Sequence, residues 1–324
     1  MIAESDIRPH IISLNQSFHR KHLHRFGNGV GFCSEFNDTA NVLTRCLAEE
    51  LQFCQEIITR PQGVSTIRGW QDYFLPFCQE LSTPLQGLNT KALARRKYAA
   101  VRALTRGLLK LSTGCSSFMF DAIERGKPQE ITIKSLNYSG QFNVVLAAVS
   151  RAIWKFNAST QSEVDAIREM FGFSSVDIAL HIRRGDKISE FNYVPLEMYV
   201  EALEPYRSSG NSLFIATDDT TIVDEMKALL SGDFTILSAA EMNADQQKKN
   251  VGYDQTTFND LPPKIRRANI ISFLVEMEIM RTAQVLIGTS SSNVFITQRG
   301  LRDNKLTINL TKDAWNDREN WRTF

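Results

Sequence analysis

The segment HIRRGDK, residues 181–187, concentrates charged side chains of the kind that bind anions. Arg183 and Arg184 carry planar, permanently charged guanidinium groups that can bind phosphate oxygens in pairs. The segment therefore predicts a phosphate site. Taken alone, the same residues also fit a charged surface loop in which Arg184 pairs with Asp186.

Two further polar clusters follow apolar runs later in the chain. Thr217-Asp218-Asp219 comes directly after SLFIA, and GTSSS, residues 288–292, comes after AQVLI and opens a helix. A serine-rich turn at a helix N-terminus presents hydroxyl and backbone N–H groups to an anion. The alternative is that both clusters are helix caps. The aspartates would then cap a helix that starts near Thr221, and the serines would cap the helix that they open.

These clusters need a sheet that brings strand ends together, and the second half of the chain predicts one. The pattern predicts strands at 176–182, 212–216, 234–237, 285–288 and 306–310, alternating with helices from 195 and at 221–230, 269–281 and 292–301. Such alternation predicts a parallel sheet with right-handed crossovers. Ligands bind beyond the carboxyl ends of such strands, so the three clusters should converge on a diphosphate site. The chain contains no GxxxxGK[ST] motif, DxD motif or histidine-rich metal spacing, so neither a P-loop nor a metal is expected.

The first half reads as mostly helical. Periodic apolar residues predict helices at 36–51, 92–111, 142–156 and 161–171, with a short strand at 53–58. We place a linker near 158–172, which separates an N-terminal domain, 1–165, from a C-terminal domain, 166–324. The aromatic stretch GWQDYF, residues 69–74, fits either sugar stacking or a packed core, and the packed core is favoured.

Composition excludes several classes of protein. The 324 residues include 37 Lys+Arg and 36 Asp+Glu, a net charge of +1 that argues against nucleic-acid binding by bulk phosphate neutralisation. No apolar run approaches the length of a membrane span. The five cysteines show no CxxC spacing. Together with an N-terminus that lacks an apolar signal region, they favour a reducing, cytoplasmic location. Five Asn-x-Ser/Thr triplets, the first at Asn15 and the last at Asn309, keep a secretory-pathway lumen open as the alternative.

The order HIRRGDK, SLFIATDDTTIVDEMK, VLIGTSSSNVF resembles the α1,6-fucosyltransferases, the core N-glycan and rhizobial nodulation enzymes of a wider fucosyltransferase superfamily. The likeness runs from about residue 142 to 300, and the glycine-rich turn 27–32 is similar to the family's N-terminal loop. The resemblance implies an α/β fold of the GT-B class, with two Rossmann-like domains, a donor-binding cleft and a helix-rich N-terminal domain. It also implies transfer of fucose from GDP-fucose to a glycan hydroxyl, with inversion and without a cofactor or essential metal.

The resemblance also implies roles for donor-binding residues. Arg183 would bind the β-phosphate and Arg184 would support that pocket. His181 would lie beside the guanine, and Glu276 takes the place of an acidic residue that reads the guanine edge. Asp218 would hold the arginines or touch the donor ribose. The rest of the implied donor set is Gly29, Gly31, Asp186, Asp219, Ser290, Ser291 and Ser292, with the serines cradling the diphosphate.

The catalytic groups implied by the resemblance follow the arginine motif. Lys187 and Glu190 match the family's lysine and glutamate, with one residue deleted before Pro195, and Glu190 is the hypothesised base that deprotonates the acceptor hydroxyl. Arg183 and Lys187 would stabilise the departing GDP. The chain departs from the core enzyme at Asn293, where that enzyme has glutamine.

Three readings remain at this stage. The first is a GDP-fucose-dependent α1,6-fucosyltransferase whose partners are a GDP-sugar and a glycan. The second keeps the fold but uses another sugar nucleotide or makes an α1,2 linkage. The third is a nucleotide- or glycan-binding protein without catalytic activity, since fold does not determine function.

Overall fold

The computed structural model describes residues 7–26, 31–57, 69–83, 99–118, 130–172, 176–184, 193–207, 211–230, 232–239 and 255–311. The chain forms two compact units, one within residues 1–157 and the other within 158–319. A helix begins at residue 158, where the second unit starts, so the segment predicted as a linker is mostly helical.

The first unit contains a parallel four-stranded sheet in the order β3-β2-β1-β4, and a separate antiparallel hairpin of β5 and β6. Its strands are β1 (Arg20–His24), β2 (Leu51–Glu56), β3 (Gln79–Leu81), β4 (Ser117–Phe118), β5 (Glu130–Ile133) and β6 (Tyr138–Gln141). Its helices are α1 (Ile7–Ser17), α2 (Phe32–Ala48), α3 (Ala99–Thr113) and α4 (Phe142–Ile153).

The first half is rich in helices, as predicted, but it also contains this sheet. Only β2 was expected, as a strand at 53–58. The β1 sequence RKHLH reads as polar, but Leu23 is fully buried and pairs with Cys54 of β2 on one side and Phe118 of β4 on the other. Pairing across the sheet thus stabilises a strand that carries no apolar alternation of its own.

The aromatic stretch at 69–74 is core, as favoured. Trp70, Tyr73 and Phe74 are almost fully buried, and the Trp70 and Phe74 rings stack with centroids 4.5 Å apart. Phe36 of α2 meets Trp154 edge-on at 4.9 Å. These side chains are held against one another, so they are not surfaces on which a sugar could stack.

The second unit is a five-stranded sheet in the order β11-β10-β7-β8-β9, with every neighbouring pair parallel. Its strands are β7 (Ile178–Ile182), β8 (Ser212–Thr217), β9 (Thr235–Ser238), β10 (Val285–Gly288) and β11 (Leu306–Asn309). Its helices are α5 (Ala158–Met170), α6 (Leu196–Leu203), α7 (Thr221–Leu230), α8 (Gln255–Asp260), α9 (Pro263–Thr282) and α10 (Asn293–Leu301).

The predicted strand-helix alternation of this unit is confirmed. The central strand β7 is buried along its whole length, as its continuous apolar run predicts for a strand covered on both faces. A core of branched apolar side chains lies between the sheet and the helices α6 and α7. The helix predicted at 269–281 begins earlier, at Pro263, because proline suits a first helical turn.

Candidate active site

The three predicted clusters follow three adjacent strands, β10, β7 and β8, at the carboxyl edge of the second sheet. Arg183 follows β7 directly, Asp218 follows β8, and the serine-rich turn 289–292 joins β10 to α10. Because the strands are parallel, their carboxyl ends lie at one edge. The convergence predicted from the sequence is therefore present.

Asp218 fixes the arginine motif with both carboxylate oxygens. Oδ2 lies 2.7 Å from a terminal guanidinium nitrogen of Arg183, and Oδ1 accepts a 2.7 Å hydrogen bond from the backbone N–H of Arg184. The Arg183 side chain remains about one-fifth exposed. Asp218 thus holds Arg183, whose side chain is buried only in part.

Arg184 points elsewhere. Its guanidinium donates a 3.0 Å hydrogen bond to the Val194 carbonyl and lies over the Tyr193 ring, 4.9 Å from the centroid. A guanidinium above an aromatic face is held by a cation–π interaction. Arg184 therefore braces the chain at 193–194, which agrees with a supporting role.

His181 lies buried within β7, and its Nδ1 has no hydrogen-bond partner among the described residues. Burial, together with the nearby Arg183 cation, lowers the pKa of the imidazole to about 3. The ring is therefore neutral at physiological pH. A neutral imidazole with an unsatisfied nitrogen can accept or donate one hydrogen bond to a ligand.

Tyr199 of α6 joins two of the strand ends, a contact that no motif in the sequence indicates. Its hydroxyl donates a 3.4 Å hydrogen bond to the His181 carbonyl, and its side chain lies near Thr289. Burial raises the pKa of this phenol. Tyr199 therefore stays protonated and can hold the β7 and β10 ends together.

Asp219 serves the helix that follows it. Its Oδ1 accepts hydrogen bonds from the Thr221 backbone N–H at 3.0 Å and from the Thr221 hydroxyl at 2.7 Å. This is the capping alternative that the sequence left open. The two adjacent aspartates thus have different tasks, since Asp218 holds Arg183.

The serines of the turn also differ. Ser290 is buried and bonded to Asn309 and Thr311. Ser292 caps α10, with its Oγ accepting from the Val294 N–H at 3.2 Å. Ser291 is half-buried and shares a 2.8 Å hydrogen bond with Thr289. Of the three predicted serines, Ser291 is the one that is only half-buried.

The turn packs closely on the strand below it. A Cβ added at Gly288 would lie 2.5 Å from Cδ2 of Phe295, a fully buried side chain of α10. The missing side chain at Gly288 lets α10 approach the end of β10. The glycine that precedes the serines is thus needed for close packing of α10.

Glu276 lies on α9, half-buried. Burial first, and the nearby Asp218 carboxylate second, raise the pKa of Glu276 to about 8. The electrostatic effect of Asp218 shows that Glu276 belongs to the same edge of the sheet. A carboxyl group there can pair with ring N–H donors of a base.

Arg302 stabilises the end of α9 that carries Glu276. Its guanidinium donates to the carbonyls of Met280, at the last turn of the helix, and of Ala283 at 3.0 Å. Lys305 adds a bond to the carbonyl of Thr282 at 2.5 Å. Cations that satisfy the last carbonyls of a helix stabilise its C-terminus.

Four of the predicted site residues lie outside the described ranges: Gly29, Asp186, Lys187 and Glu190. Gly31 immediately precedes α2, and its carbonyl accepts the N–H of Glu35 at 3.1 Å, so it begins that helix. Within the described ranges, no group of three or more His, Cys, Asp or Glu side chains could hold a metal ion.

Two Rossmann-like units within one chain, with polar turns at the carboxyl edge of the second, define the GT-B class of glycosyltransferases. The structure of an Arabidopsis thaliana FUT1 variant in complex with GDP supports this fold, with a TM-score of 0.51 at 9% identity over 91% of this chain and 73% of that one. Two NodZ structures are also similar. The Bradyrhizobium fucosyltransferase NodZ has a TM-score of 0.49 at 11% identity, over 87% and 93% of the two chains. The structure of NodZ α1,6-fucosyltransferase soaked with GDP-fucose has a TM-score of 0.48 at 13% identity, over 87% of this chain and 92% of that one.

The family follows from the sequence itself. The family described as alpha-(1,6)-fucosyltransferase N- and catalytic domains matches residues 65–258. The chain belongs to this family and is a fucosyltransferase. No curated protein matches the chain by sequence.

Proposed function

We propose that this enzyme transfers fucose from GDP-fucose to a glycan hydroxyl, with inversion at the anomeric carbon and formation of an α1,6 linkage. The observation that carries the proposal is the pairing of Arg183 with Asp218 beside the turn that bears Ser291. The bound ligands of the similar structures, GDP in FUT1 and GDP-fucose in NodZ, support the choice of donor. The linkage rests on the family.

The donor's diphosphate is assigned to the strand ends. Arg183, whose side chain is about one-fifth exposed, is assigned to the β-phosphate. Ser291 and the first turn of α10 are assigned hydroxyl and N–H contacts with the diphosphate. Arg183 also stabilises the negative charge that develops on GDP as the bond to fucose breaks. The site therefore needs no divalent cation for this step.

The guanine is assigned to His181 and Glu276. Guanine presents N1–H and N2–H donors on one edge, which an ionised carboxylate accepts in pairs. The raised pKa of Glu276, about 8, means that the side chain must lose its proton to make this contact at neutral pH. Donor binding is then coupled to release of a proton.

The acceptor hydroxyl has to lose a proton as it attacks the anomeric carbon from the face opposite GDP. Glu190 is the proposed base, and Lys187 the proposed partner of the leaving diphosphate. Both lie outside the described ranges, so their roles rest on their match to the family motif. An attack of this kind forms the new C–O bond as the bond to GDP breaks, which inverts the anomeric centre.

The first experiment is calorimetric titration of the purified chain with GDP, UDP and ADP in the presence of chelator. We expect selective GDP binding that the chelator leaves unchanged. Preference for another nucleotide would keep the fold and refute GDP-fucose as donor. Absence of binding to all three would favour a protein that has lost its donor site.

The second experiment tests the base. A Glu190→Gln variant should retain GDP affinity and lose transfer of fucose to an accepted glycan. Full turnover by this variant would refute the role of Glu190. The linkage is then read from the product of the wild-type enzyme, in which an α1,2 product would contradict α1,6 transfer.

We propose a reducing compartment for this reaction. None of the five cysteines, all of which lie in the described part of the chain, forms a disulfide. The Asn15 amide is buried and bonded to both backbone groups of Phe53, at 2.7 and 3.0 Å, so its triplet cannot carry a glycan in the folded protein. No helix in the described part of the chain has the length and apolar character to cross a bilayer. Finding the enzyme glycosylated at the remaining triplets would contradict this placement.

A further inference from the structure

The serine-rich turn is tied to the neighbouring strand through Ser290. Asn309, the last residue of β11, accepts a hydrogen bond from the Ser290 backbone N–H at 3.0 Å and donates one to the Ser290 hydroxyl, also at 3.0 Å. The side-chain amide of Asn309 thus bonds to both the backbone N–H and the hydroxyl of Ser290. Such a two-point contact fixes orientation as well as distance.

Thr311 completes the contact from the next turn of the chain. Its hydroxyl lies 3.1 Å from the Ser290 hydroxyl and accepts a 3.2 Å hydrogen bond from the Ser290 N–H. It also donates to Asn309 at 3.0 Å, which orients the amide. Ser290 is only 1% exposed as a result.

The inward position of Ser290 decides what its neighbours do. Ser292 is committed to capping α10, and Ser291 lies between the two anchored residues. Anchoring both flanks limits the conformations of the intervening residue before any ligand arrives. Preorganised donors of this kind lose less entropy on binding than mobile ones.

We propose that Asn309 is a positioning residue for the diphosphate-binding turn, acting through Ser290 with Thr311 as its support. The inference rests on the proposed function, because it assumes that this turn meets the donor. Asn309 itself touches no substrate. No sequence motif indicates Asn309, because it lies 19 residues from Ser290 at the end of a short strand.

The main test compares Asn309→Ala with Thr307→Val, a control on the same strand. Thr307 pairs with Leu286 of β10 and accepts a 3.1 Å hydrogen bond from Arg302. We expect Asn309→Ala to weaken GDP binding and to raise the KM for GDP-fucose by about tenfold, the loss of one to two hydrogen bonds. The kcat for GDP-fucose hydrolysis should change less than about twofold, since the group acts on binding.

The Thr307→Val control should lose comparable thermal stability and keep the wild-type values of GDP affinity and of the KM for GDP-fucose. An equal loss of GDP affinity in Thr307→Val would show that destabilised β11, rather than the Ser290 contact, causes the effect, and would overturn the proposal. A fall in kcat with an unchanged KM in Asn309→Ala would also overturn it.

Two further variants keep the test decisive if Asn309→Ala does not fold. Thr311→Val removes one hydroxyl and should weaken GDP binding by about threefold, whereas Thr311→Ser retains the hydroxyl and should restore wild-type affinity. Equal affinities in the two variants would contradict the proposal.

A double-mutant cycle with Ser290→Ala tests whether Asn309 acts through this serine. The combined loss of affinity should be smaller than the two single losses added together, because the variants remove a shared contact. Additive losses of affinity would refute the proposal that Asn309 acts through Ser290. Failure of the wild type to bind GDP would refute the proposed function, whereas normal wild-type binding with an unaffected Asn309→Ala would refute this inference alone.

Discussion

Each of the two sheets has an arginine–carboxylate pair beyond its strand ends, and the two pairs are used differently. In the first unit, Arg25 after β1 pairs with Glu56 at the end of β2, with side chains 8% and 1% exposed. In the second, Arg183 after β7 pairs with Asp218 after β8, with side chains 21% and 10% exposed. Each pair joins an arginine to a carboxylate at the carboxyl edge of a parallel sheet.

The difference lies in how much of each cation stays accessible. Both carboxylate oxygens of Glu56 are bonded inside the protein, one to Arg25 and the other to the Thr83 hydroxyl. Asp218 uses its second oxygen to fix the backbone of Arg184, so Arg183 is oriented yet still partly exposed. The first pair is therefore structural, and the second is suited to bind an anion.

The largest expected effect is the loss of stability in Arg25→Ala. Removing one partner of a buried ion pair leaves an uncompensated charge, so the free energy of unfolding should fall by about 3–5 kcal/mol in chemical denaturation. The double variant Arg25→Ala, Glu56→Gln should recover a large part of it. A loss below about 1 kcal/mol would mean that the two pairs do not differ as described.

The next effect is expected at Gly288→Ala, which tests the packing of the serine-rich turn. The new methyl group would lie 2.5 Å from Phe295, and overpacking of this kind costs about 1–3 kcal/mol. Gly107→Ala is the matched control, because no atom lies within 4 Å of an added Cβ there. This exposed position of α3 should gain about 0.5–1 kcal/mol. Thermal unfolding that shows the same sign for both variants would contradict the packing argument.

Arg183→Ala should cost little stability and much GDP affinity, whereas Arg25→Ala should cost mainly stability. The pair is partly exposed, so unfolding should become easier by only about 1 kcal/mol. GDP affinity should fall at least about tenfold, equivalent to about 1.4 kcal/mol, because a charge-assisted contact is lost. Calorimetry on Arg183→Ala and on Arg183→Lys, which keeps the charge without the fork, checks this. Unchanged GDP affinity in the alanine variant would show that the diphosphate lies elsewhere.

The last expected effect is a pH slope in the free energy of unfolding that arises from Glu276. Its pKa in the folded protein, about 8, lies above the ordinary 4.5, so between these values the native state holds a proton that the unfolded state has lost. The stability contribution is full below pH 4.5 and is lost as pH rises through about 8. The slope is at most about 1.4 kcal/mol per pH unit for one proton.

Glu276→Gln cannot titrate and should lack this slope in denaturation curves recorded from pH 5 to 8.5. GDP affinity of the wild type should also rise over the same range, because the carboxylate becomes available to the guanine. An identical slope in both proteins would assign it to another group.

The sequence predicted the second unit well because its strands are buried on both faces. Continuous apolar runs therefore marked β7 and β8, and the helix expected at 221–230 is α7 with the same bounds. The first sheet was missed, because β1 is short and polar and β3 has three residues. Its stability comes from pairing between distant segments, which leaves no local pattern.

The sequence by itself determined that polar residues follow adjacent buried strands, which is where we propose that the diphosphate binds. It also carried the family, through motifs whose order matches the α1,6-fucosyltransferases. Only the tertiary structure decided which of several similar side chains does what. Asp218 holds Arg183 while Asp219 caps a helix, and Ser290 turns inward while Ser291 stays half-exposed. The reason is physical, because orientation depends on hydrogen-bond partners that come from other strands and lie far away in the chain.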